Sequence, residues 1–187
     1  VALLLVDAAE FITAQDMHIA GYTIEAGKGM VLLVNKWDLI PQEQRQEFKQ
    51  HAKQRLKFIS YVPTIYISSK LGYNINKVLP QAYQVWQERQ KHLPQSEIDK
   101  VVKQAVSSHS PPRVGSKQLR IFQTRQDESN LTTFILGVND PKLVHFSYQR
   151  YLENKLRQGF GFYGNPLQLV FTKAATKTTK RVEVMET

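Results

Sequence analysis

Three segments that are typical of strands divide the first half of the chain. Val1–Val6 and Met30–Val34 are apolar runs without polar alternation, as expected of strands that are covered on both faces, and Thr64–Ile67 is predicted as a third strand. Apolar residues at helical spacing separate the runs. Repeated strand–helix units of this kind predict a parallel sheet, with functional loops at the carboxyl ends of its strands.

Capping residues predict where the intervening helices begin and end. Thr13 is expected to begin the first helix in a capping box with Asp16, and Gly27 follows the last turn of that helix. Pro41 is predicted at the first position of a second helix, and Asn74 is predicted as the cap of a third. The third helix is expected to turn one apolar side inward, formed by Ile75, Val78, Leu79, Ala82, Val85 and Trp86.

The pattern changes after a short linker, Lys91–Pro94. From there the periodicity predicts the order helix–strand–strand–helix–strand, which gives a sheet with antiparallel pairing and helices on one face. Asp140 is expected to cap the longer helix, with Pro141 at its first position. The predicted elements are a helix from Ser96, strands at Leu119–Gln123 and Leu131–Val138, a helix from Asp140 to Gly159 and a strand at Leu167–Phe171.

This second order of elements is that of KH-like modules, in which a Gly-x-x-Gly loop between two helices clamps an RNA backbone. Gly161-Phe162-Tyr163-Gly164 has the same letters but lies between the long helix and the last strand. We therefore predict a glycine-rich turn at this place. The expected fold is a partial α/β domain at residues 1–92, an α+β KH-like domain at 93–172 and a flexible basic tail at 173–187.

Composition and charge narrow the classes of protein. The 187 residues are 42% hydrophobic and include no cysteine, which excludes disulfides, thiolate metal sites and cysteine nucleophiles and favours a reducing compartment. No apolar run approaches the ~20 residues that cross a bilayer. Residues after Pro94 carry 14 basic and 8 acidic side chains, against 11 and 8 before it. This excess favours a polyanion partner, although solubility alone also explains it.

The candidate chemistry lies where two of the predicted strands end. Asn35-Lys36-Trp37-Asp38 follows the second strand, and Ser68-Ser69-Lys70 follows the third about thirty residues later. The pair resembles the N-K-x-D and S-A-K motifs with which small GTP-binding domains recognise guanine. Ser69 stands where those domains usually have alanine, which keeps a small residue and a backbone donor.

The residue types suit a guanine base. The Asp38 carboxylate can accept hydrogen bonds from the ring N–H and the exocyclic amine of guanine, a pattern that adenine does not offer. Asn35 can tie the two loops together, and the stem of Lys36 can lie over the purine face while its ammonium stays hydrated. Backbone N–H groups near Ser69 can donate to the guanine carbonyl. The alternative is a strand-end loop in which Asp38 caps a helix.

The phosphate-binding motifs of such domains are absent from this sequence. There is no G-x-x-x-x-G-K-[ST] loop, since Gly27-Lys28 lacks both the earlier glycine and a following Ser or Thr, and no D-x-x-G follows a strand. Phosphate and magnesium contacts do the hydrolytic work, so we expect residues 1–187 alone not to hydrolyse GTP. The opening inside an apolar strand, at Val1, leads us to expect further sequence upstream.

Basic residues in the second half are candidate RNA contacts. Lys117, Arg120, Arg150 and Arg157 are predicted to form one basic face, and Lys173, Lys177, Lys180 and Arg181 are predicted to give the tail a phosphate-binding character. A merely solvated surface and a solubilising terminus are the alternatives. The five histidines have no metal-ligand spacing, His145 is expected to pack or cap, and Asp7 is expected to order the turn after the first strand.

Taken together, the motifs resemble the C-terminal part of the Der (EngA) family of bacterial ribosome-assembly GTPases. The resemblance implies the latter half of a P-loop-type GTPase domain followed by a KH-like domain that also packs on GTPase domains. It further implies binding and hydrolysis of GTP with Mg²⁺ in the intact protein, a role in maturation of the large ribosomal subunit and contact with its RNA, a bacterial cytoplasmic setting and no membrane partner. The alternative is a non-catalytic RNA- or protein-binding module built on a G-like scaffold. The residues that carry the resemblance are Val6-Asp7-Ala8, Ile12-Thr13, Gln15-Asp16, Ile19-Ala20-Gly21, Asn35-Lys36-Trp37-Asp38-Leu39, Pro111-Pro112-Arg113, Val138-Asn139-Asp140-Pro141, His145-Phe146-Ser147-Tyr148, Arg150-Tyr151-Leu152-Glu153-Asn154 and Gly159-Phe160-Gly161-Phe162.

Overall fold

The computed structural model describes residues 1–174 and begins with a parallel sheet. Its three strands are hydrogen-bonded in the order β1-β2-β3, and two helices cover one face while a third covers the other. The parallel α/β arrangement predicted from the apolar runs is therefore confirmed. The elements are β1 (Ala2–Asp7), α1 (Ala14–Glu25), β2 (Met30–Asn35), α2 (Arg45–Arg55), β3 (Thr64–Tyr66) and α3 (Val78–Arg89).

The ends of these helices agree only in part with the predicted caps. The capping box forms as expected, because the Thr13 N–H donates to Asp16 and the Asp16 N–H donates to the Thr13 hydroxyl. Pro41 instead precedes a short 3₁₀ helix, and α2 begins only at Arg45. Asn74 adopts the left-handed conformation and donates its side-chain N–H to the Tyr66 carbonyl at 2.9 Å, so it does not cap α3.

The predicted apolar side of α3 is only partly buried. Val85 is buried against β2 and β3, with Val78 and Ala82 packed beside it. Leu79 and Trp86 are 75% and 47% exposed, which contradicts the expectation that the whole stripe turns inward. The reason is that no strand or helix among residues 1–174 packs over this side of α3.

The second half forms a smaller α+β module. Strands β6 and β7 pair antiparallel, β8 pairs parallel with β7, and both helices pack on one face of this sheet. The predicted order is confirmed, with an additional two-stranded hairpin between the first helix and the first predicted strand, where no element was predicted. The elements are α4 (Gln95–Ser108), β4 (Arg113–Val114), β5 (Lys117–Gln118), β6 (Ile121–Gln126), β7 (Thr133–Val138), α5 (Phe146–Phe160) and β8 (Gln168–Lys173).

The start of α5 differs from the prediction by one short element. Asp140 caps a 3₁₀ helix, Pro141–Leu143, by accepting from the Lys142 N–H at 3.0 Å. The cap of α5 itself is His145, whose Nδ1 accepts from the Ser147 N–H at 3.3 Å. The assignment of the long helix to Asp140 was therefore wrong, whereas the capping role expected of His145 is confirmed.

A glycine-rich turn joins the two halves of the molecule. The Gly164 N–H donates to the Tyr61 carbonyl at 2.9 Å, and the Gly164 carbonyl accepts from the Met30 N–H at 2.8 Å. Gly164 has a φ of 72°, and a Cβ there would lie 2.4 Å from a Val85 methyl group. Asn165 adds a hydrogen bond from its side chain to the Val85 carbonyl at 2.8 Å. The predicted turn at Gly161–Gly164 is thus a docking element.

One arginine holds this turn from the side of α5. The Arg157 guanidinium donates to the carbonyls of Phe162 and Asn165 at 3.2 and 3.0 Å, and it also pairs with Glu153 at 3.3 Å. It lies 3.9 Å from the centre of the Tyr61 ring. Burial raises the pKa of Tyr61 to about 12, although the arginine charge lowers it. The phenol therefore stays neutral, and the contact is a cation–π interaction.

A second group of contacts crosses the same junction from α3. Arg89 donates to the Gly27 carbonyl at 2.6 Å and to the Asn130 side chain at 3.1 Å. Glu88 accepts from the Tyr163 N–H at 3.2 Å. The bond to Gly27 lies within the first half, whereas the bonds to Asn130 and Tyr163 join α3 to the turns before β7 and before β8. The two halves therefore share a polar as well as an apolar contact. None of the helices in residues 1–174 has the length and apolarity to span a membrane.

Candidate functional site

The two loops predicted to carry the chemistry lie side by side. Strands β2 and β3 are neighbours with Val34 paired to Tyr66. Beyond the paired residues the Ile67 N–H donates to the Val34 carbonyl at 2.8 Å, and the Trp37 N–H donates to the Ile67 carbonyl at 3.0 Å. The backbone of each loop is thereby fixed to the other where the sheet ends.

A side chain completes this connection. The Asn35 Oδ1 accepts from the Ser69 N–H at 3.0 Å, which is the tie between loops that its position suggested. Ser68 is fully buried, and its hydroxyl accepts from the Leu71 N–H at 3.2 Å. Within residues 1–174, the N–H of Lys70 has no such partner. The predicted backbone donor to a purine carbonyl is therefore the Lys70 N–H, since that of Ser69 is already used.

Asp38 lies beside this tied loop. It is half-buried in a short 3₁₀ helix, Trp37–Leu39, that follows directly after β2. Among the residues that the structure describes, none donates a hydrogen bond to its carboxylate. The two connected loops therefore offer a half-buried carboxylate with both oxygens available and a backbone N–H without a partner. Two acceptors and a donor are the complement of the edge of a guanine base.

Lys36 is held at the other side of the loop. It adopts a left-handed conformation with a φ of 58°, and its Nζ lies 2.5 Å from Asp7 Oδ2. The hydrogen bond from Lys36 is the main reason that the pKa of Asp7 lies below its usual value, and the same bond raises the pKa of Lys36. Asp7 also accepts from the Ala9 N–H at 2.9 Å, as expected of a turn-ordering residue.

Sequence reasoning missed the pairing of Asp7 with Lys36. A signal for it exists in the strand register, because Asp7 ends β1 directly opposite Asn35 at the end of β2. Residues at the carboxyl ends of adjacent parallel strands share one edge of the sheet. The charged residue one position after Asn35 therefore comes within reach of the Asp7 carboxylate.

Trp37 occupies a different place from its neighbours in the motif. Its ring is only 3% exposed and lies in the core, 4.3 Å from the Tyr66 ring centre and 5.3 Å from that of Phe48. The ring supports the loop from below and does not face the cleft. Of the seven residues predicted to bind guanine, the structure brings Asn35, Lys36, Asp38, Ser69 and Lys70 to the surface of the two loops and places Trp37 and Ser68 beneath them.

One of the four residues predicted to form a basic face is engaged elsewhere. Lys117, Arg120, Arg150 and Lys173 are exposed, but Arg157 is committed to the junction between the halves. Lys117 and Lys173 do line one depression, together with Lys142, which the sequence had not singled out. Lys173, predicted as the first residue of the flexible tail, is instead the last residue of β8 and is paired with Val138. The other predicted tail contacts, Lys177, Lys180 and Arg181, lie outside the described residues.

Comparison with known proteins agrees with both halves. Residues 1–88 match the model of the elongation factor Tu GTP-binding domain, and residues 92–172 match the model of the C-terminal KH-domain-like region of EngA bacterial GTPases. The chain is thus part of a GTP-binding α/β domain followed by a KH-like module. These residues belong to the Der (EngA) family, as the sequence motifs suggested.

Individual relatives show the same correspondence. A GTPase Der from Chloroflexus aggregans is 41% identical over 180 residues, which cover 95% of this chain and 40% of the relative. A GTPase Der from Alkaliphilus oremlandii is 40% identical over 172 residues, which cover 91% of this chain and 39% of the relative. The chain therefore spans about two fifths of the length of these relatives. A crystal structure of an Aquifex aeolicus Era variant bound to GDP and AlF₄⁻ aligns with 92% of this chain and 64% of its own, with a TM-score of 0.38 at 14% identity.

Proposed function

We propose that this chain supplies the base-recognising part of a GTP-binding ribosome-assembly factor, a GTPase that acts in maturation of the large ribosomal subunit in the bacterial cytoplasm. One observation carries the proposal. The Asp38 carboxylate accepts no hydrogen bond from residues 1–174 and lies beside a loop that the Asn35–Ser69 bond holds in place at 3.0 Å. A carboxylate that no group of the described chain engages is available to accept hydrogen bonds from a ligand.

The proposed recognition uses four contacts of different kinds. Asp38 accepts from the ring N–H and the exocyclic amine of guanine, and the Lys70 N–H donates to the carbonyl oxygen. The stem of Lys36 covers one face of the purine while Asp7 holds its ammonium at 2.5 Å. Adenine presents the opposite donor and acceptor pattern, and a mismatch of buried polar groups costs ~10⁴-fold or more in affinity.

Hydrolysis belongs to the longer protein in this proposal. The described residues include no cluster of acidic and histidine side chains that could hold a metal ion, so neither Mg²⁺ nor the phosphates are assigned contacts here. Guanine has ~11 heavy atoms, and ~0.3–0.5 kcal/mol per atom gives roughly 3–5 kcal/mol, which is millimolar affinity at best. The KH-like module is proposed to contact ribosomal RNA while it stays docked on the GTP-binding half.

The test is a change of base specificity. Asp38→Asn replaces one acceptor with a donor, so the variant is expected to lose at least tenfold in affinity for guanosine monophosphate and to gain relative affinity for xanthosine monophosphate, whose C2 carbonyl accepts from the new amide. Titration of the ¹⁵N-labelled chain followed by NMR detects binding at millimolar concentration. The Lys70 amide signal is expected to move with guanosine monophosphate.

Asp99→Asn is the matched control, because it removes one carboxylate from α4 in the other half of the molecule. This variant is expected to bind both nucleotides like the parent chain. Equal affinity of the Asp38→Asn variant and the parent for guanosine monophosphate would remove Asp38 from base recognition. If no amide signal of the parent chain shifts at nucleotide concentrations well above the expected millimolar dissociation constant, the proposed site as a whole is contradicted.

A further inference from the structure

Three lysines converge on one depression at the far end of the KH-like module. Lys117 comes from β5, Lys142 from the 3₁₀ helix after β7, and Lys173 from the last position of β8. Together with Asn139, Asp140 and Leu143 they line a depression of about 410 Å³. We call this place the lysine pocket. Its basic residues are separated in sequence by 25 and 31 positions, and only the fold brings them together.

Hydrogen bonds fix the frame that carries these lysines. The Asn139 Oδ1 accepts from the Arg120 N–H and its side-chain N–H donates to the Gln118 carbonyl, both at 2.9 Å. The Ala174 N–H donates to the Val138 carbonyl at 2.8 Å, which extends the pairing of β7 and β8 past Lys173. The ends of β5, β7 and β8 therefore form one connected rim, and the lysine stems project from it.

The charge of the pocket is not compensated internally. Three lysines against the one carboxylate of Asp140 leave a formal charge of +2. No carboxylate in the part of the chain that the structure describes lies within 4.0 Å of any of the three ammonium groups. Asp140 accepts from the Lys142 backbone N–H at 3.0 Å, so its charge is partly engaged in capping. Three ammonium groups in one concave site repel each other, and an anion among them relieves that repulsion.

The surroundings indicate which anion fits. An ammonium group recognises phosphate as a point charge with several donors and without reading a base. The chain also continues from Ala174 into a segment whose sequence adds Lys177, Lys180 and Arg181, so more positive charge follows directly from the rim. A single small anion would not need this extension, whereas a backbone with regularly spaced phosphates would use it.

We propose that the lysine pocket binds one or two adjacent backbone phosphates of a single-stranded or looped RNA. The proposal rests on the ribosomal RNA contact assigned above to the KH-like module, and it moves that contact to the rim formed by β5, β7 and β8. Neither the glycine-rich turn nor the Arg157 side chain takes part, because both are occupied at the junction between the two halves.

The experiment compares two triple variants of the whole chain. Lys117→Gln, Lys142→Gln and Lys173→Gln together remove the pocket charge. Lys100→Gln, Lys103→Gln and Lys155→Gln remove the same charge from α4 and α5 of the same module. Affinity for a fluorescein-labelled 20-nucleotide RNA is measured by anisotropy between 50 and 300 mM KCl. All six lysines lie at least partly exposed, so neither variant is expected to shift the thermal melting curve by more than a few degrees.

The pocket variant is expected to bind about tenfold or more weakly at 100 mM KCl, and the slope of log K against log salt is expected to fall by about 1 to 2. The control variant is expected to stay within about twofold of the parent. An unchanged slope in the pocket variant, or a larger loss in the control, would overturn the proposal while leaving RNA binding by the chain intact.

Failure of the parent chain to bind RNA even at 50 mM KCl would overturn both the lysine pocket and the RNA contact of the proposed function. The guanine titration would still stand, since it involves the other half of the molecule. A pocket variant that binds RNA more weakly than the parent, but with the same slope of log K against log salt, would also contradict phosphate recognition. Loss of an ionic contact must reduce the release of counterions, and a lower slope would show it.

Discussion

The two loops proposed to bind guanine, Asn35–Asp38 and Ser68–Lys70, are called the guanine loops below. They and the lysine pocket use polar residues in opposite ways. In the loops, bonds within the chain fix the frame, as between Asn35 and Ser69 at 3.0 Å and between Lys36 and Asp7 at 2.5 Å, and they leave the Asp38 carboxylate without a partner among the described residues. In the lysine pocket, Lys117 and Lys142 project from a fixed rim, and no carboxylate of the described chain pairs with them. In the proposals above, the first arrangement selects a ligand by geometry, whereas the second attracts one by charge.

This difference has a consequence for substitution. A hydrogen-bonded loop fails when one donor or acceptor is exchanged, even for a residue of the same size. A charged depression tolerates the exchange of one lysine for an arginine but loses affinity with each charge that is removed. The most informative experiments therefore compare, within each half of the molecule, a buried or bonded side chain with an exposed side chain of the same type.

The largest effect is expected beneath the guanine loops. Trp37→Ala empties a core position that contacts Phe48 and Tyr66, and truncation of a buried aromatic side chain costs about 3–5 kcal/mol of unfolding free energy. Trp86 is the matched control, since it is 47% exposed and stacks on Tyr83 alone among the aromatic residues. Trp86→Ala is expected to cost about 1 kcal/mol or less.

Urea denaturation followed by far-ultraviolet circular dichroism measures both variants without relying on tryptophan fluorescence. A loss for Trp37→Ala no greater than that for Trp86→Ala would show that the ring is not core. In that case the assignment of position 37 as support for the loop, and not as a contact with the base, would have to be reversed.

A smaller effect is expected in the KH-like module, where two arginines of α5 appear equivalent in sequence. Arg157→Ala removes two hydrogen bonds to the docking turn and the contact with Tyr61, and about 2–4 kcal/mol of unfolding free energy is expected to be lost. Arg150 is exposed, and Arg150→Ala is expected to change stability by less than about 0.5 kcal/mol.

Hydrogen exchange shows where in the molecule the loss of stability arises. Arg157→Ala is expected to increase exchange of the Gly164 and Met30 amides, which are bonded across the junction. Faster exchange confined to the ends of α5, with those two amides still protected, would mean that Arg157 stabilises only its own helix.

Sequence reasoning was most successful where function requires a fixed set of residue types. The loops after β2 and β3 could be predicted because a buried strand, a set spacing and the residue types of the N-K-x-D pattern all occur together. The capping box of Thr13 and Asp16 could be predicted for the same reason, since its two hydrogen bonds involve residues three positions apart. Local geometry determines these features, and local geometry can be deduced from the sequence.

Features set by distant contacts could not be predicted in this way. The burial of Arg157 depends on Tyr61, which is nearly one hundred positions earlier in the chain. Leu79 and Trp86 continue the apolar stripe of α3 but are exposed, because burial depends on which element packs over the helix and not on its periodicity. Nothing in the sequence distinguishes Lys142 from other surface lysines, because only the fold places it in the same depression as Lys173.

The smallest expected effect concerns the ion pair between Asp7 and Lys36, which joins β1 to the guanine loop at the surface. Lys36 holds the pKa of Asp7 below its usual value. Because the folded value lies below the unfolded one, the pair stabilises the folded state above about pH 4, and this contribution is lost as the pH falls through the folded pKa. Asp7→Asn is expected to remove that part of the acid dependence.

The comparison needs a double-variant design, since a surface pair contributes little and other carboxylates also titrate in acid. Unfolding is followed between pH 2 and pH 6 for Asp7→Asn, for Lys36→Met and for both together, with Glu128→Gln as an exposed carboxylate that has no side-chain partner in the described chain. Both single variants are expected to flatten the same segment of the curve, and the double variant is expected to add nothing further. Additive effects would show that Asp7 and Lys36 act separately. Each side chain would then contribute only through its own charge, as the lysines of the pocket do, and not through a specific bond. The contrast between the guanine loops and the lysine pocket would not hold for Asp7 and Lys36.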